Sequence, residues 1–249
     1  MTNQFVKSIE LKRDLIGSFD EYPFCLPAIK SLDGLKLHPK ATYIIGENGT
    51  GKSTILESIA VACGFNPEGG SKNFLFSTTD SHCGLYNYIR LVRGIKKPRD
   101  GFFLRAESYY NVASYIDQID LAPGFGPPIK DSFGGKSLHE QSHGESFFAL
   151  FQNRLRGNGL YILDEPEAAL SPTRQMSFIT RMHDLIETGS QFIIATHSPI
   201  IMAYPDSYIY EIGDGIKRVR YDDTDHYMIM KAFINNREKM LRELMLPEN

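Results

Sequence analysis

Gly46-Glu47-Asn48-Gly49-Thr50-Gly51-Lys52-Ser53-Thr54 fits the phosphate-cradling pattern G-x-x-x-x-G-K-[ST]. Its flanks decide whether the match carries weight. Ahead of it, Ala41-Thr42-Tyr43-Ile44-Ile45 is an apolar, β-leaning run suited to a buried strand. Behind it, Ile55, Leu56, Ile59 and Ala60 recur at helical spacing between Ser53 and Ala62. Glycines let the backbone between strand and helix turn its N–H groups inward on a polyphosphate, at the positive end of the helix. Lys52 is then expected to neutralise the β- and γ-phosphates, and the Ser53 hydroxyl to sit on Mg²⁺. An ordinary glycine turn explains none of these flanks.

The 249 residues suffice to bury a full core, and one domain with subdomains is expected. Hydrophobic residues make up 42% and charged ones 23%, values that exclude a disordered chain. A formal net charge of −3 gives no global electrostatic case for nucleic acid. No apolar run approaches the roughly 18 residues of a membrane span, and the polar N-terminus is no signal peptide. Cys25, Cys63 and Cys83 are odd in number and lack C-x-x-C spacing, which fits reduced thiols. A cytoplasmic protein is the expectation.

Along the chain, Phe5–Leu11 reads as a strand, and Tyr22-Pro23-Phe24 to Ile29 as a proline-limited extended piece. Leu85–Val92 and Phe102–Leu104 read as further strands, and Tyr109–Ile119 as a helix. Proline and glycine in Ala122–Pro128 break that helix, so roughly residues 108–156 are expected to form a semi-independent helical lobe. The second half then alternates: strand Leu160–Leu163, helix Pro172–Glu187, strand Gln191–Ala195. That alternation predicts βαβ units and an α/β fold with a mostly parallel sheet flanked by helices. Two short strands, Ser207–Ile212 and Ile216–Tyr221, precede a final helical region capped by Thr224 or Asp225.

Two strand ends add chemistry to the loop. Leu160-Tyr161-Ile162-Leu163 runs into Asp164-Glu165. Alone this would be a strand end with a solvated turn. Beside a phosphate loop, Asp164 is expected to hold Mg²⁺, while Glu165 orients or deprotonates the attacking water. Gln191–Ala195 delivers His197 to the same kind of position, at the carboxyl end of a buried strand where open α/β sheets place ligands. A lone histidine there is usually a hydrogen-bonded structural residue. As the strand end after Asp164-Glu165, His197 is expected to sense the γ-phosphate or hold the water.

The order phosphate loop, Ser142-His143-Gly144-Glu145-Ser146, Asp164-Glu165, His197 resembles the ABC-class ATPases. Within that class it is similar to the small ATPases of the SMC and DNA-repair branch, often described as AAA-family ATPases. The resemblance runs over nearly the whole chain, 1–249, as a single ATPase domain carrying the 108–156 lobe. It implies a P-loop NTPase fold with antiparallel β and helical subdomains, and ATP and Mg²⁺ as cofactors. It also implies that Ser142 and Gly144 contact the γ-phosphate held by a second subunit, where a hydroxyl and a helix N-terminus suit an anion. Gln141, His143 and Glu145 depart from the usual Leu-Ser-Gly-Gly-Gln, and Ser171 stands where the class has an aspartate in its subunit-crossing loop. The class places a lid residue that reports Mg²⁺ near the end of an intervening strand, and Glu107 lies near that place. His139 and His143 share a helical spacing but lack a nearby third ligand for a metal.

The leading expectation is an ATP-driven homodimer acting as a switch or motor for an effector the chain does not encode, DNA-related or defence-related. The alternatives are the nucleotide-binding subunit of a membrane transporter and a non-hydrolysing ATP-gated scaffold. Glu167 and Ser198-Pro199 depart from the transporter pattern, and Glu165 argues against the scaffold. Arg90, Arg93, Lys96, Lys97 and Arg99 form the one dense basic segment, read either as a nucleic-acid contact or as a charged strand edge. Tyr22, Phe24 and Tyr43 are the candidate aromatics for stacking adenine.

Overall fold

The structure, a computed structural model, describes residues 4–72, 83–106, 109–121, 128–140 and 143–246. Its strands, in chain order, are β1 (Val6–Leu11), β2 (Leu35–Lys36), β3 (Ala41–Gly46), β4 (Ile89–Arg93), β5 (Asp100–Arg105), β6 (Gly159–Asp164), β7 (Gln191–Ala195), β8 (Tyr208–Ile212) and β9 (Ile216–Val219). The helices are α1 (Pro27–Lys30), α2 (Lys52–Ala62), α3 (Tyr109–Leu121), α4 (His143–Ala149), α5 (Pro172–Glu187), α6 (Asp225–Asn235) and α7 (Arg237–Leu244). One sheet has the order β5-β6-β7-β3-β8-β9 and is parallel except at the β8–β9 edge. A smaller antiparallel sheet has the order β2-β1-β4.

The central strands are apolar without interruption because both of their faces are covered. Their two-residue period sorts the side chains into two cores. Tyr43, Tyr161, Phe192 and Ile194 face α3, α4 and α5, joining Phe147, Phe178 and Met182. Ile44, Phe103, Ile162 and Ile193 face α2 and the small sheet, joining Ile55, Ile59, Ile9 and Ile89. Phe178, Met182, Leu185 and Ile186 are the buried stripe of α5, at helical spacing. The 108–156 stretch contributes α3 and α4, and Tyr109, Val112, Ile116 and Phe147 pack in the same core as α5.

Three local expectations change. The stretch from Tyr22 to Ile29 is a turn followed by α1, not an extended piece. Pro27 takes the first helical turn, where its missing N–H is no loss. Gly84–Tyr88 is a 3-10 turn, so the strand expected from Leu85 begins only at Ile89. Leu85 is fully buried in the α2 core, and that packing overrides the β-leaning composition. The C-terminal helical region is two helices, broken at Asn236.

Candidate active site

β7 lies between β6 and β3, with Ala195 in register with both Asp164 and Ile44. The segments leaving these three strands, Gly46 onward, Asp164-Glu165 and Thr196-His197, therefore emerge side by side. This is the carboxyl edge of the sheet, where open α/β folds bind ligands. Sheet order alone brings together residues that are far apart in sequence.

The loop after β3 needs its glycines. Gly46 has φ +142°, and a Cβ there would lie 2.3 Å from the Ile212 carbonyl oxygen of β8. Gly49 and Gly51 also have positive φ, and Gly51 forms the N-terminal cap of α2. Lys52 is 4% exposed, and its Nζ donates to the carbonyls of Gly46 at 2.8 Å and Glu47 at 3.0 Å. Burial pushes the Lys52 ammonium below its ordinary range, and the charges of Glu165 and Asp164 oppose that shift. Ser53 Oγ donates to Asp164 Oδ1 at 3.2 Å. Tyr22 and Thr54 share a hydroxyl–hydroxyl hydrogen bond of 3.0 Å. Tyr22, Gly49, Gly51, Lys52, Ser53 and Thr54, together with Asn48 and Glu165, line a cavity of 380 Å³. A hydroxyl and a buried carboxylate held together are the oxygen donors that a hard cation such as Mg²⁺ takes. The donor set fits that ion.

Glu165 is left-handed, at φ 51° and ψ 54°. The following Pro166 disfavours the right-handed region for it. Its N–H donates to the Ala195 carbonyl at 3.0 Å, and its Oε1 lies 3.5 Å from His197 Nε2. Two residues hold His197 by hydrogen bonds. Its N–H donates to Glu167 Oε1 at 2.6 Å, and its Nδ1 is 3.1 Å from His226 Nε2 on α6. The Ser198 hydroxyl accepts from the N–H groups of Ile200 and Ile201 and donates to Gln175. Burial, then the nearby Lys52, pushes the His197 imidazole below its ordinary value. Burial pushes the Glu167 carboxyl up.

Lys52, Ser53, Asp164, Glu165 and His197 thus meet at one edge. Gly144, at the start of α4, packs against the segment after β6, where a Cβ would lie 2.7 Å from the Ala169 carbonyl. Ser142 and Glu107 lie outside the described residues. Arg105, just before Glu107, pairs with the buried Glu57 of α2 at 2.7 Å, which ties that strand end to the loop helix. Ser171 caps α5, accepting from the Arg174 N–H. Of the basic segment, Arg90 pairs with Glu10 and Arg93 donates to the Ala62 carbonyl. Among the described residues no group of three or more His, Cys, Asp or Glu is arranged to hold a metal. Of the candidate aromatics, Tyr43 is in the core and Phe24 packs edge-on against Tyr88. Tyr22 is 65% exposed beside the loop. Glu57 and His226 had no sequence signal, and Glu167 stood out only as a departure from the transporter pattern, because each acts through a partner on a distant element.

Two family profiles match separate parts of the chain. One described as "AAA domain" matches residues 18–119, and one described as "AAA domain, putative AbiEii toxin, Type IV TA system" matches residues 139–203. A solved structure of an ATP-binding cassette of an ABC transporter overlays with a TM-score of 0.51 at 16% identity, covering 98% of this chain and 99% of that one. The SMC head domain from Thermotoga maritima gives 0.39 at 18% identity, over 75% of this chain and 92% of that one. Among curated proteins, the ABC transporter G family member STR2 of Medicago truncatula is 26% identical over 174 residues. That alignment covers 64% of this chain and 23% of the relative, so the chain spans about a quarter of that protein. The class follows from fold and site: the chain has the fold of the ABC-class P-loop ATPases. Its profile matches are both to domains described as AAA. Among the described residues no helix is long and apolar enough to cross a membrane.

Proposed function

We propose that this protein binds ATP with Mg²⁺, hydrolyses it, and uses the nucleotide to gate association of two copies as a switch for an effector. The observation that carries the reading is the convergence of Lys52, the Ser53–Asp164 pair and the Glu165–His197 pair on three adjacent strand ends. Ser53 and Asp164 would hold Mg²⁺, which supplies neutralising charge for the phosphates. The loop from Gly46 to Thr54 wraps the phosphates with backbone N–H groups, and Lys52 neutralises the outer ones. Tyr22, exposed and joined to Thr54, offers its ring to the adenine. Glu165 takes a proton from the attacking water, and His197 holds the terminal phosphate from the far side. Ser142 and Gly144 of a second copy complete the site, as the class resemblance implies.

Exposed Ile229, Ile234 and Leu244 on α6 and α7, helices with no buried residue, support contact with an effector. The likeness of one profile to a toxin–antitoxin domain supports a defence role for that effector. The test is phosphate release from Mg²⁺-ATP by the wild type and by Glu165→Gln. Turnover in the wild type with a loss of about 10²–10⁴-fold in the variant is expected. Equal rates would remove Glu165 from the role of base, and an inert wild type would leave only an ATP-gated scaffold.

A further inference from the structure

His197 and His226 pose a proton-placement problem with one good answer. Their nitrogens Nδ1 and Nε2 are 3.1 Å apart, with ring centroids at 5.3 Å. The outward nitrogens, His197 Nε2 and His226 Nδ1, are buried without hydrogen-bond partners. Two neutral imidazoles joined by one hydrogen bond must divide the roles, one donating and the other accepting. If His197 Nδ1–H donated, its Nε2 lone pair would face the Glu165 carboxylate at 3.5 Å. In addition His226 would bury an unpaired N–H at Nδ1, a rarer defect than an unfilled acceptor. If His226 Nε2–H donates instead, His197 carries its proton on Nε2, pointing at Glu165 and the phosphate loop. The carboxylate and the buried orphan atoms both select this second arrangement.

We propose that His226 is a positioning residue for hydrolysis: by donating to His197 Nδ1 it holds His197 as the Nε2–H tautomer, aimed at the terminal phosphate. The proposal rests on the reading of His197 as the phosphate contact. The Glu167 carboxylate fixes the His197 backbone, but from His197 it accepts only the backbone N–H and does not hold the ring. His226 alone, among the described residues, is hydrogen-bonded to that ring. It is the second residue of α6, which Thr224 caps by accepting from Tyr227 N–H. The His197 ring is therefore held by α6, not by the sheet that carries it.

The test uses ¹⁵N-labelled full-length protein without nucleotide, at about pH 7.5, above the ordinary histidine range. Long-range ¹H–¹⁵N correlations of the imidazoles report which nitrogen carries the proton, and the His197→Gln spectrum assigns the His197 signals. Wild type is expected to show His197 protonated at Nε2 alone. His226→Phe, which keeps a ring but no donor, is expected to show a mixture of tautomers. His226→Gln, whose amide still donates, is expected to restore the wild-type pattern. With Mg²⁺-ATP, His226→Phe is expected to lower kcat about 10- to 100-fold with KM nearly unchanged, and His226→Gln to recover most of it. An Nδ1–H signal for His197 in wild type, or an unchanged His197 spectrum in His226→Phe, would overturn the role of His226. A shifted spectrum with unchanged kcat would instead overturn the reading of His197 as a phosphate contact, and with it the catalytic part of the proposal.

Discussion

Lys52 has its ammonium held by two loop carbonyls, at 2.8 and 3.0 Å. It is the one cation lining the loop cavity among the described residues. Charge-assisted hydrogen bonds are worth about 1.5–3 kcal/mol each. Lys52→Ala is therefore expected to weaken ATP binding by tenfold or more in calorimetry, and an unchanged affinity would refute the loop assignment. A second residue-level expectation concerns His38. Burial lowers its pKa from 6.5, although the Asp206 carboxylate opposes the shift. Its Nδ1 accepts from the Lys40 N–H at 3.2 Å, a bond that protonation of Nδ1 would break. A depressed native value means the unfolded chain binds the proton first, so this stability is present above 6.5 and is lost as pH falls through the lowered native value. Glu167, pushed up from 4.5 by burial, acts in the opposite direction at lower pH, so a variant is needed to isolate the histidine. The urea midpoint is expected to fall less between about pH 7.5 and 5.5 in His38→Gln than in wild type. Parallel profiles would contradict that.

The elements show which features a sequence can carry. The phosphate loop, the Asp164-Glu165 strand end and the His197 strand end were legible because each is a short local pattern on a buried apolar strand. β3, β6, β7 and α5 fall where the hydrophobic periods put them. The Tyr22–Ile29 stretch was misread because proline signals either an extended piece or a first helical turn, and only packing decides between them. Leu85 was misread because its burial against α2 depends on a contact that is distant in sequence. His226 could not be read, since nothing local says that α6 returns to the end of β7, and the bond from Glu167 to the His197 N–H depends on the adjacency of β6 and β7. Gly46 belongs to both levels, being the first letter of the motif and a contact between two strands. Gly46→Ala puts a Cβ against the Ile212 carbonyl at a φ that side chains rarely adopt. A loss of about 1–3 kcal/mol in urea unfolding is expected from strain and overpacking. An unaltered midpoint would mean that β3 and β8 do not approach as described.

Across the whole molecule, the open question is what reads the third phosphate of ATP. Within one copy, Lys52 lies in the loop and Glu165 and His197 pair at the neighbouring strand ends, and Lys52 would serve ADP as well as ATP. A second copy supplying Ser142 and Gly144 would contact only the γ-phosphate, so differential affinity would sit where the two nucleotides differ. One such contact per nucleotide, about 1.5–3 kcal/mol each, shifts a symmetric dimerisation by about 10²–10⁴-fold. The exposed Ile229 and Ile234 lie on α6, the helix whose His226 is hydrogen-bonded to His197, which would give an effector a physical route to a bound nucleotide. Whether the effector is a nucleic acid, a membrane protein or a soluble partner is read from what co-purifies with Glu165→Gln protein in ATP.

The measurement that bears most directly on the nucleotide-gated dimer is sedimentation velocity of Glu165→Gln protein, which is expected to retain ATP, at concentrations where the site is filled. Three samples are compared: protein with ATP, protein with ADP, and the Ser142→Arg double variant with ATP. The account predicts a dimer in the first and monomers in the other two. A monomer in all three, with nucleotide bound, would contradict it.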